Sequence, residues 1–496
     1  MFTCLQLTWA PCASSQKHRG FVPSVNISKK PIQIVNSTPS KDVGTQQYRN
    51  KRRNNNRDLA KQADIPIARV GPGPTSDFFS AASWKELGAH EDMLHSLEAI
   101  GIKRPSHIQA ESFAALESDA MHVLLADHAG SGKTLSYLVP LLQQLKVEEK
   151  AKGGPVGRPG QPRIVVIVPT AELCTQVLRV CRALSRTLKF RSGIFTGGHP
   201  MRTQKKTLEN GVDIVVGTPG RLLELQASGS LDVSQCSHVV CDEADVLLGP
   251  ASSFAEQVLP LKDSCPETTK FVLVTATVPS DIYTDIEVMF PGIVSALGPG
   301  LHRTAPGCME QIVDCSGGDE ISEESGILRK SAAMLASLQE QKRDRTIVFC
   351  NKIETCRKVE NFLNRSLIED DIEVLPYHAA ISPVNRDKNL SRFLQVPGRD
   401  DGSRGQSKRL VLVCTDRASR GVDSAYVEHV ILFDFPREPS EYVRRVGRTA
   451  RGAGGEGVVT VLVLGRQVKL AQHVSSRNQK GLPVHAIPSV IPIPRT

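Results

Sequence analysis

Three carboxylates fall within four residues at Asp242-Glu243-Ala244-Asp245, directly after the apolar run His238-Val239-Val240-Cys241. An apolar run that ends this way is costly unless a positive charge sits against it. A magnesium ion carried by a nucleoside triphosphate is the obvious candidate. An acidic cluster by itself is more often a solvated turn. Gly130-Ser131-Gly132-Lys133-Thr134 changes that balance, because it follows the apolar run 122–126. A strand, a tight glycine loop and a helix start then come in succession. Backbone N–H groups of such a loop point at phosphate oxygens, its lysine reaches the outer phosphates, and its threonine ligates magnesium. Gly130, Ser131, Gly132, Lys133 and Thr134 are therefore expected to bind nucleotide, with Thr134 and Asp242 holding the metal. Glu243 is expected to orient or deprotonate the attacking water, since phosphoryl transfer is mainly positioning and charge stabilisation. Where the usual loop spacing has a glycine, this chain has Asp127. An unpaired carboxylate there would repel the phosphates.

Such groups need strand ends and helix starts to hold them. From about residue 80, apolar runs alternate with longer amphipathic stretches. One set of runs is 122–126, 164–168, 213–217, 238–241 and 271–275; a second is 346–350, 373–377, 410–414, 429–433 and 457–464. They are rich in Val, Ile and Leu and do not alternate with polar residues, which marks strands buried on both faces in parallel sheets flanked by helices. Two sets imply two α/β domains, expected at 75–300 and 327–485. Residues 301–326 between them are expected to be a linker, with the small and acidic stretch 314–326 as an exposed loop. Residues 149–162 and 396–408 read as surface insertions, and 486–496 as a tail.

At 496 residues the chain is too long for one compact core. Hydrophobic residues make up 40% and charged residues 23%, and no apolar stretch approaches a membrane span. The twelve cysteines are scattered without a Cys-x-x-Cys pair, and several lie in apolar runs (Cys241, Cys350, Cys414). A reducing compartment and no zinc site are expected. Of the net charge of +9, residues 1–60 carry +8, from ten Lys/Arg and two acids. The globular remainder is nearly neutral, so any nucleic-acid contact must use local positive sites. No acid precedes Asp42, and Ser, Thr, Pro and basic residues dominate. Residues 1–60 are expected to be a transit peptide and a disordered basic arm, with a plastid address favoured and a mitochondrial one as the alternative.

With these residues in place, the chain resembles the DEAD-box ATP-dependent RNA helicases, and within them a plant chloroplast member. The resemblance runs from residue 84 to 452. Gly101-Ile102-Lys103-Arg104-Pro105-Ser106-His107-Ile108-Gln109 is similar to the family's adenine-reading motif. Pro169-Thr170-Ala171-Glu172-Leu173, Gly197-Gly198 and Thr218-Pro219-Gly220-Arg221 are similar to its RNA-backbone motifs, and Thr275-Ala276-Thr277 to the motif that couples the ATP and RNA sites. In the second half, Thr415-Asp416-Arg417-Ala418-Ser419-Arg420-Gly421-Val422-Asp423 and Tyr442-Val443-Arg444-Arg445-Val446-Gly447-Arg448-Thr449-Ala450-Arg451 complete the set.

The resemblance implies two tandem RecA-like parallel-sheet domains with an ATP cleft between them. It implies ATP and Mg2+ as ligands, Gln109 and Asp423 on the nucleotide, and Thr170, Gly198, Thr218, Arg221, Thr415 and Arg420 on RNA. Thr275, Thr277, Asp245 and Arg445 would couple the two sites. Arg448 and Arg451 would cross the cleft as arginine fingers, and the three-residue spacing of Arg445, Arg448 and Arg451 would stack them on one face of a helical turn. RNA gripped by its backbone, with low sequence preference, is the implied partner, together with ribonucleoprotein or ribosome-assembly proteins. No membrane is implied, and the chain would be a monomer. Ile102, Ala171, Arg444 and Asp127 depart from the family's pattern and put nucleotide affinity and coupling in question. An ATP-gated RNA clamp and a DNA helicase of similar build are the rival readings.

Overall fold

The computed structural model describes residues 78–249, 254–317, 322–367, 372–395, 408–416 and 427–484. Every described residue lies in the second of the chain's two units, Pro66–Thr496. The expected transit peptide, basic arm and tail lie outside the described residues, as does nearly all of the expected insertion 396–408.

Two parallel sheets organise the second unit. The first holds seven strands: β1 (His122–Ala126), β2 (Ile164–Ile167), β3 (Ser192–Phe195), β4 (Ile214–Gly217), β5 (His238–Asp242), β6 (Lys270–Thr275) and β7 (Val294–Leu297). Their order is β3-β4-β2-β5-β6-β1-β7. The helices α1 (Glu91–Ala99), α2 (His107–Glu117), α3 (Lys133–Lys152), α4 (Ala171–Leu188), α5 (Met201–Glu209), α6 (Pro219–Ala227), α7 (Ala244–Leu247), α8 (Ala255–Asp263) and α9 (Ser280–Met289) connect or flank them. Alternate residues of one strand feed opposite cores. Val123 and Leu125 pack with Leu138, Val177 and Leu184 on one side; Leu124 and Ala126 pack with Leu222, Val258 and Ile286 on the other. Burial on both faces is why these strands are continuous apolar runs.

The second sheet holds β8 (Cys308–Asp314), β9 (Arg345–Phe349), β10 (Ile372–Tyr377), β11 (Arg409–Cys414), β12 (His429–Leu432) and β13 (Gly457–Val463), in the order β10-β11-β9-β12-β13-β8. Its helices are α10 (Glu323–Gln341), α11 (Ile353–Ser366), α12 (Pro383–Leu394), α13 (Pro439–Val446) and α14 (Arg466–Gln479).

Three strands escape the sequence patterns. β3 is interrupted by Ser192 and Gly193, and β7 by Ser295. The third, β8, corrects the expected linker. Residues 308–314 pair along their whole length with β13, and α10 begins at Glu323. As an edge strand β8 is only half-buried, so Glu310 and Gln311 break the apolar run that marks interior strands.

The register places the expected site residues at one edge. Ala126 pairs with Thr275, and Asp242 with Val274. The ends of β1, β6 and β5 are therefore level, and two strand spacings of about 4.8 Å separate the glycine loop from the acidic cluster. Ligands of open α/β sheets bind at this carboxyl edge.

Candidate functional site

The loop between β1 and α3 is built by left-handed glycines. Gly130 has φ +87° and Gly132 φ +92°, which a residue with a Cβ rarely adopts. A Cβ at Gly132 would also overlap the Gln109 Nε2. Lys133 Nζ donates to the carbonyls of Asp127 (2.8 Å) and His128 (2.7 Å). Burial pulls this ammonium below its usual range, with Asp127 and Asp242 partly opposing the shift. Ser106 Oγ donates to the Ser131 carbonyl at 2.8 Å. Gln109 Oε1 accepts from Ser106 N at 2.9 Å, while its Nε2 donates to the Gly132 carbonyl at 3.2 Å. The carboxamide thus ties the start of α2 to the phosphate loop, and keeps one further N–H and lone pair for a base. Ile102, at the family's aromatic position, packs against the first-domain core.

Asp242 ends β5 and is 6% exposed. Its Oδ1 accepts from Glu243 N (2.9 Å) and its Oδ2 from the Tyr137 hydroxyl (3.2 Å). Burial, and then the charge of Glu243, push its pKa up to about 6. The Lys133 charge offsets only part of that rise, so a divalent ion fits beside this carboxylate. Among the described residues no cluster of three or more His, Cys, Asp or Glu could hold a metal. An ion here would draw on Asp242, the Thr134 hydroxyl and oxygens of a bound ligand. Tyr137, which the sequence reading missed, donates to Asp242 from the same helix that carries Thr134. The signal was available: Tyr137 lies one helical turn after Thr134, on the same face of α3.

Glu243 stands in the left-handed region (φ 55°, ψ 51°). That costs a non-glycine residue about 1 kcal/mol or more and turns the side chain out of the strand direction. Its Oε2 is buried without a hydrogen-bond partner, and its Oε1 lies 4.0 Å from Arg448 Nη2 of the second domain.

Thr275 and Thr277 follow β6. Thr275 Oγ1 donates to the Thr277 carbonyl (2.9 Å), and Thr277 Oγ1 to Asp245 Oδ2 (2.8 Å). Arg444 Nη1 reaches the same Asp245 oxygen across the domains at 2.8 Å. Burial opposes the Arg444 charge, but Asp245 outweighs it and holds the guanidinium above its usual range. The departure at position 444 therefore supplies a full ion pair between the domains. Removing one member of a buried pair costs about 3 kcal/mol or more. Arg444→Ala should lower the closed fraction of the ligand-free protein at least tenfold, read as energy transfer between dyes on the two domains. Unaltered transfer would show that this pair does not hold them together.

The arginine run does not lie on one helical face as expected. Gly447 ends α13, so only Arg445 is helical, and Arg448 and Arg451 sit in the turns beyond it. Arg445 is 1% exposed and acts within its own domain. It donates to Asp416 through Nε (2.7 Å) and Nη2, to the Asp434 carbonyl (2.8 Å), and to Asn351 Oδ1 (2.6 Å). It thus ties together the ends of β9, β11 and β12. Arg451 lies on the phosphate loop, where a Cβ at Gly130 would sit 3.1 Å from its Cγ. Gly447 permits this approach, since a Cβ there would come 2.5 Å from Ala129 Cβ.

The remaining first-domain residues gather at the ends of β2, β4 and β3, which neighbour one another. Thr170 caps α4, accepting from Leu173 N at 3.3 Å. Thr218 precedes α6 with Pro219 at its first position. Arg221 Nη1 donates to the His199 carbonyl (2.9 Å), beside the exposed Gly197 and Gly198. Two helix N-termini and an exposed glycine turn on one edge make a surface for anions. Across from it, Tyr377 of β10 donates to Glu172 Oε1 at 3.0 Å, a second contact between the domains that sequence reasoning missed. Thr415 follows β11 and is half-buried. Arg420 and Asp423 lie outside the described residues.

Residues 106–285 match the family described as "DEAD/DEAH box helicase", and residues 329–453 the "Helicase conserved C-terminal domain". The chain is 45% identical to the "DEAD-box ATP-dependent RNA helicase 50" of Arabidopsis thaliana over 416 residues, covering 83% of this chain and 52% of that protein. It is 31% identical to the "Probable ATP-dependent RNA helicase DDX28" of Homo sapiens over 443 residues, covering 84% and 77%. The chain spans about half to two thirds of the length of the plant relatives it matches. Among solved structures it is similar to "S. cerevisiae Dbp5 bound to RNA and ADP BeF3", with TM-score 0.66 at 21% identity, covering 82% of this chain and 96% of that one. It is similar also to "DEAD-box helicase Mss116 bound to ssRNA and UDP-BeF", with TM-score 0.67 at 19% identity, covering 83% and 81%. These likenesses show the fold of two RecA-like domains.

Proposed function

The chain belongs to the DEAD-box ATP-dependent RNA helicase family, and from that membership we propose that it hydrolyses ATP under RNA stimulation to separate short duplexes or remodel RNA–protein complexes. One observation carries the reading: Arg448 and Arg451 of the second domain meet Glu243 and the phosphate loop of the first. Closing the two domains therefore assembles the hydrolytic groups.

In this reading Lys133 exchanges its two loop carbonyls for the outer phosphates, and Gln109 offers its spare N–H and lone pair to adenine. Asp242 and Thr134 would hold a magnesium ion, which when bound neutralises phosphate charge. Glu243 positions the water. Thr170, Thr218 and Arg221 receive RNA phosphates at the far end of the same sheet edge, with Thr415 across the cleft; Arg420 is assigned to RNA by its motif alone. Thr277, Asp245 and Arg444 link the two ends. We place the protein in the plastid on the composition of residues 1–60, with the mitochondrion as the alternative.

A second reading is an ATP-gated RNA clamp, in which the Arg444–Asp245 ion pair favours the closed state. The two separate in a strand-displacement assay on protein lacking the first ~60 residues, the span with transit-like composition. A helicase displaces a short RNA strand repeatedly with ATP and not without it. A clamp retains RNA with ATP and displaces nothing catalytically. Hydrolysis stimulated equally by DNA would point away from RNA.

A further inference from the structure

Asp127 is the one carboxylate at the phosphate loop that the proposed chemistry does not use. It is 2% exposed and its carboxylate meets the 298–300 turn. Its Oδ1 accepts from His128 N at 2.8 Å and from Gly300 N at 2.9 Å, and lies 3.1 Å from His128 Nδ1. Its own N–H donates to the Thr275 carbonyl at 3.3 Å, and its carbonyl receives Lys133. The partner segment follows β7, where Gly298 N donates to the Ala126 carbonyl at 2.8 Å. That segment is shaped around the carboxylate. A Cβ at Gly298 would overlap Asp127 Cγ and Oδ2, and one at Gly300 would overlap His128 Nδ1 and approach Asp127 Oδ1 to 2.7 Å.

We infer that Asp127 is a positioning residue: it clasps the phosphate loop to the 298–300 turn and so holds Lys133 and the loop N–H groups ready for a nucleotide's phosphates. The inference rests on the nucleotide reading above and assigns Gly298 and Gly300 as the seat of the clasp. Repulsion of phosphate is avoided because the charge is taken up by backbone N–H groups and His128 on the far side of the loop. Burial alone would raise this carboxyl; the His128 hydrogen bonds and the His128 and Lys133 charges reverse that and hold it below its usual range. An ionised carboxylate makes the stronger clasp, since charge-assisted hydrogen bonds are about twice as strong as neutral ones.

The test is titration of a fluorescent ADP onto the full chain, together with amide hydrogen exchange of residues 127–132 without nucleotide. Asp127→Ala should weaken binding about ten- to hundredfold, the loss of charged hydrogen bonds, and speed exchange in the loop. Asp127→Asn, which keeps an acceptor oxygen, should recover part of both. Gly298→Ala should also weaken binding, because its methyl meets the carboxylate. Combining Gly298→Ala with Asp127→Ala should weaken binding little beyond Asp127→Ala alone, because both substitutions act on the same clasp. Loop exchange and binding in Asp127→Ala equal to wild type would overturn the clasp, as would losses that simply add in the double variant. Wild type that binds no nucleotide would overturn the nucleotide reading instead, while unchanged exchange would still count against the clasp.

Discussion

Glu243→Gln is expected to bind nucleotide normally and to lose about 10²–10⁴ of its hydrolysis rate, the span that a positioned base contributes. The substitution keeps the shape of the side chain, so the left-handed backbone at this position is retained. What it removes is the carboxylate whose Oε2 has no hydrogen-bond partner and whose Oε1 faces Arg448 at 4.0 Å. Binding should not suffer, for a reason specific to this site. After burial, the charge of Glu243 is the next cause that lifts Asp242 to about 6. Removing that charge lets the Asp242 carboxyl fall toward its ordinary range, so Asp242 stays ionised at neutral pH. Magnesium-nucleotide affinity should therefore stay close to that of wild type. Single-turnover hydrolysis and equilibrium binding on the same preparation separate the two effects. A rate within tenfold of wild type would remove Glu243 from the water.

The glycine loop and the acidic cluster were legible because each depends on residues close in sequence. Gly130 and Gly132 are forced by backbone angle, and Asp242 by its place at the end of an apolar strand. Interior strands were legible for a related reason: two buried faces leave no room for polar residues between Val and Ile. β8 was not, since Glu310 and Gln311 interrupt its apolar run and it imitates a loop. The contacts that assemble the site are long-range. Tyr137 and Asp242 stand 105 residues apart, and Asp245 and Arg444 199 apart. No local pattern fixes such pairs. Position 444 was readable only as a departure, and the structure turns it into a charge pair. Asp127 had the opposite fate: an apparent source of repulsion is turned into the loop's own support. The spacing of Arg445, Arg448 and Arg451 misled because period three was taken for helix, while Gly447 ends the helix after Arg445.

Arg451→Ala should lower the RNA-stimulated rate by about 10³-fold or more, the lower end of what an arginine finger supplies. Three features single it out from its neighbours. Arg445 is occupied within its own domain by Asp416, Asn351 and the Asp434 carbonyl. Arg448 faces Glu243. Arg451 is the one that lies against Gly130, and it acts electrostatically on Lys133, whose ammonium it helps to depress. Two cations held so close to one loop repel each other until an anion comes between them. A triphosphate relieves that repulsion, most of all as charge builds on the transferred group. Arg451 should therefore matter more to turnover than to ground-state binding. In Arg451→Ala, nucleotide affinity should change a few-fold at most, or tighten, while the rate collapses. Arg451→Lys keeps the charge but not the planar fork, and should recover only part of the rate. If Arg451→Ala lowers the rate by only a few-fold, the finger is elsewhere. If binding and rate fall together, Arg451 acts on the ground state by shaping the loop through Gly130.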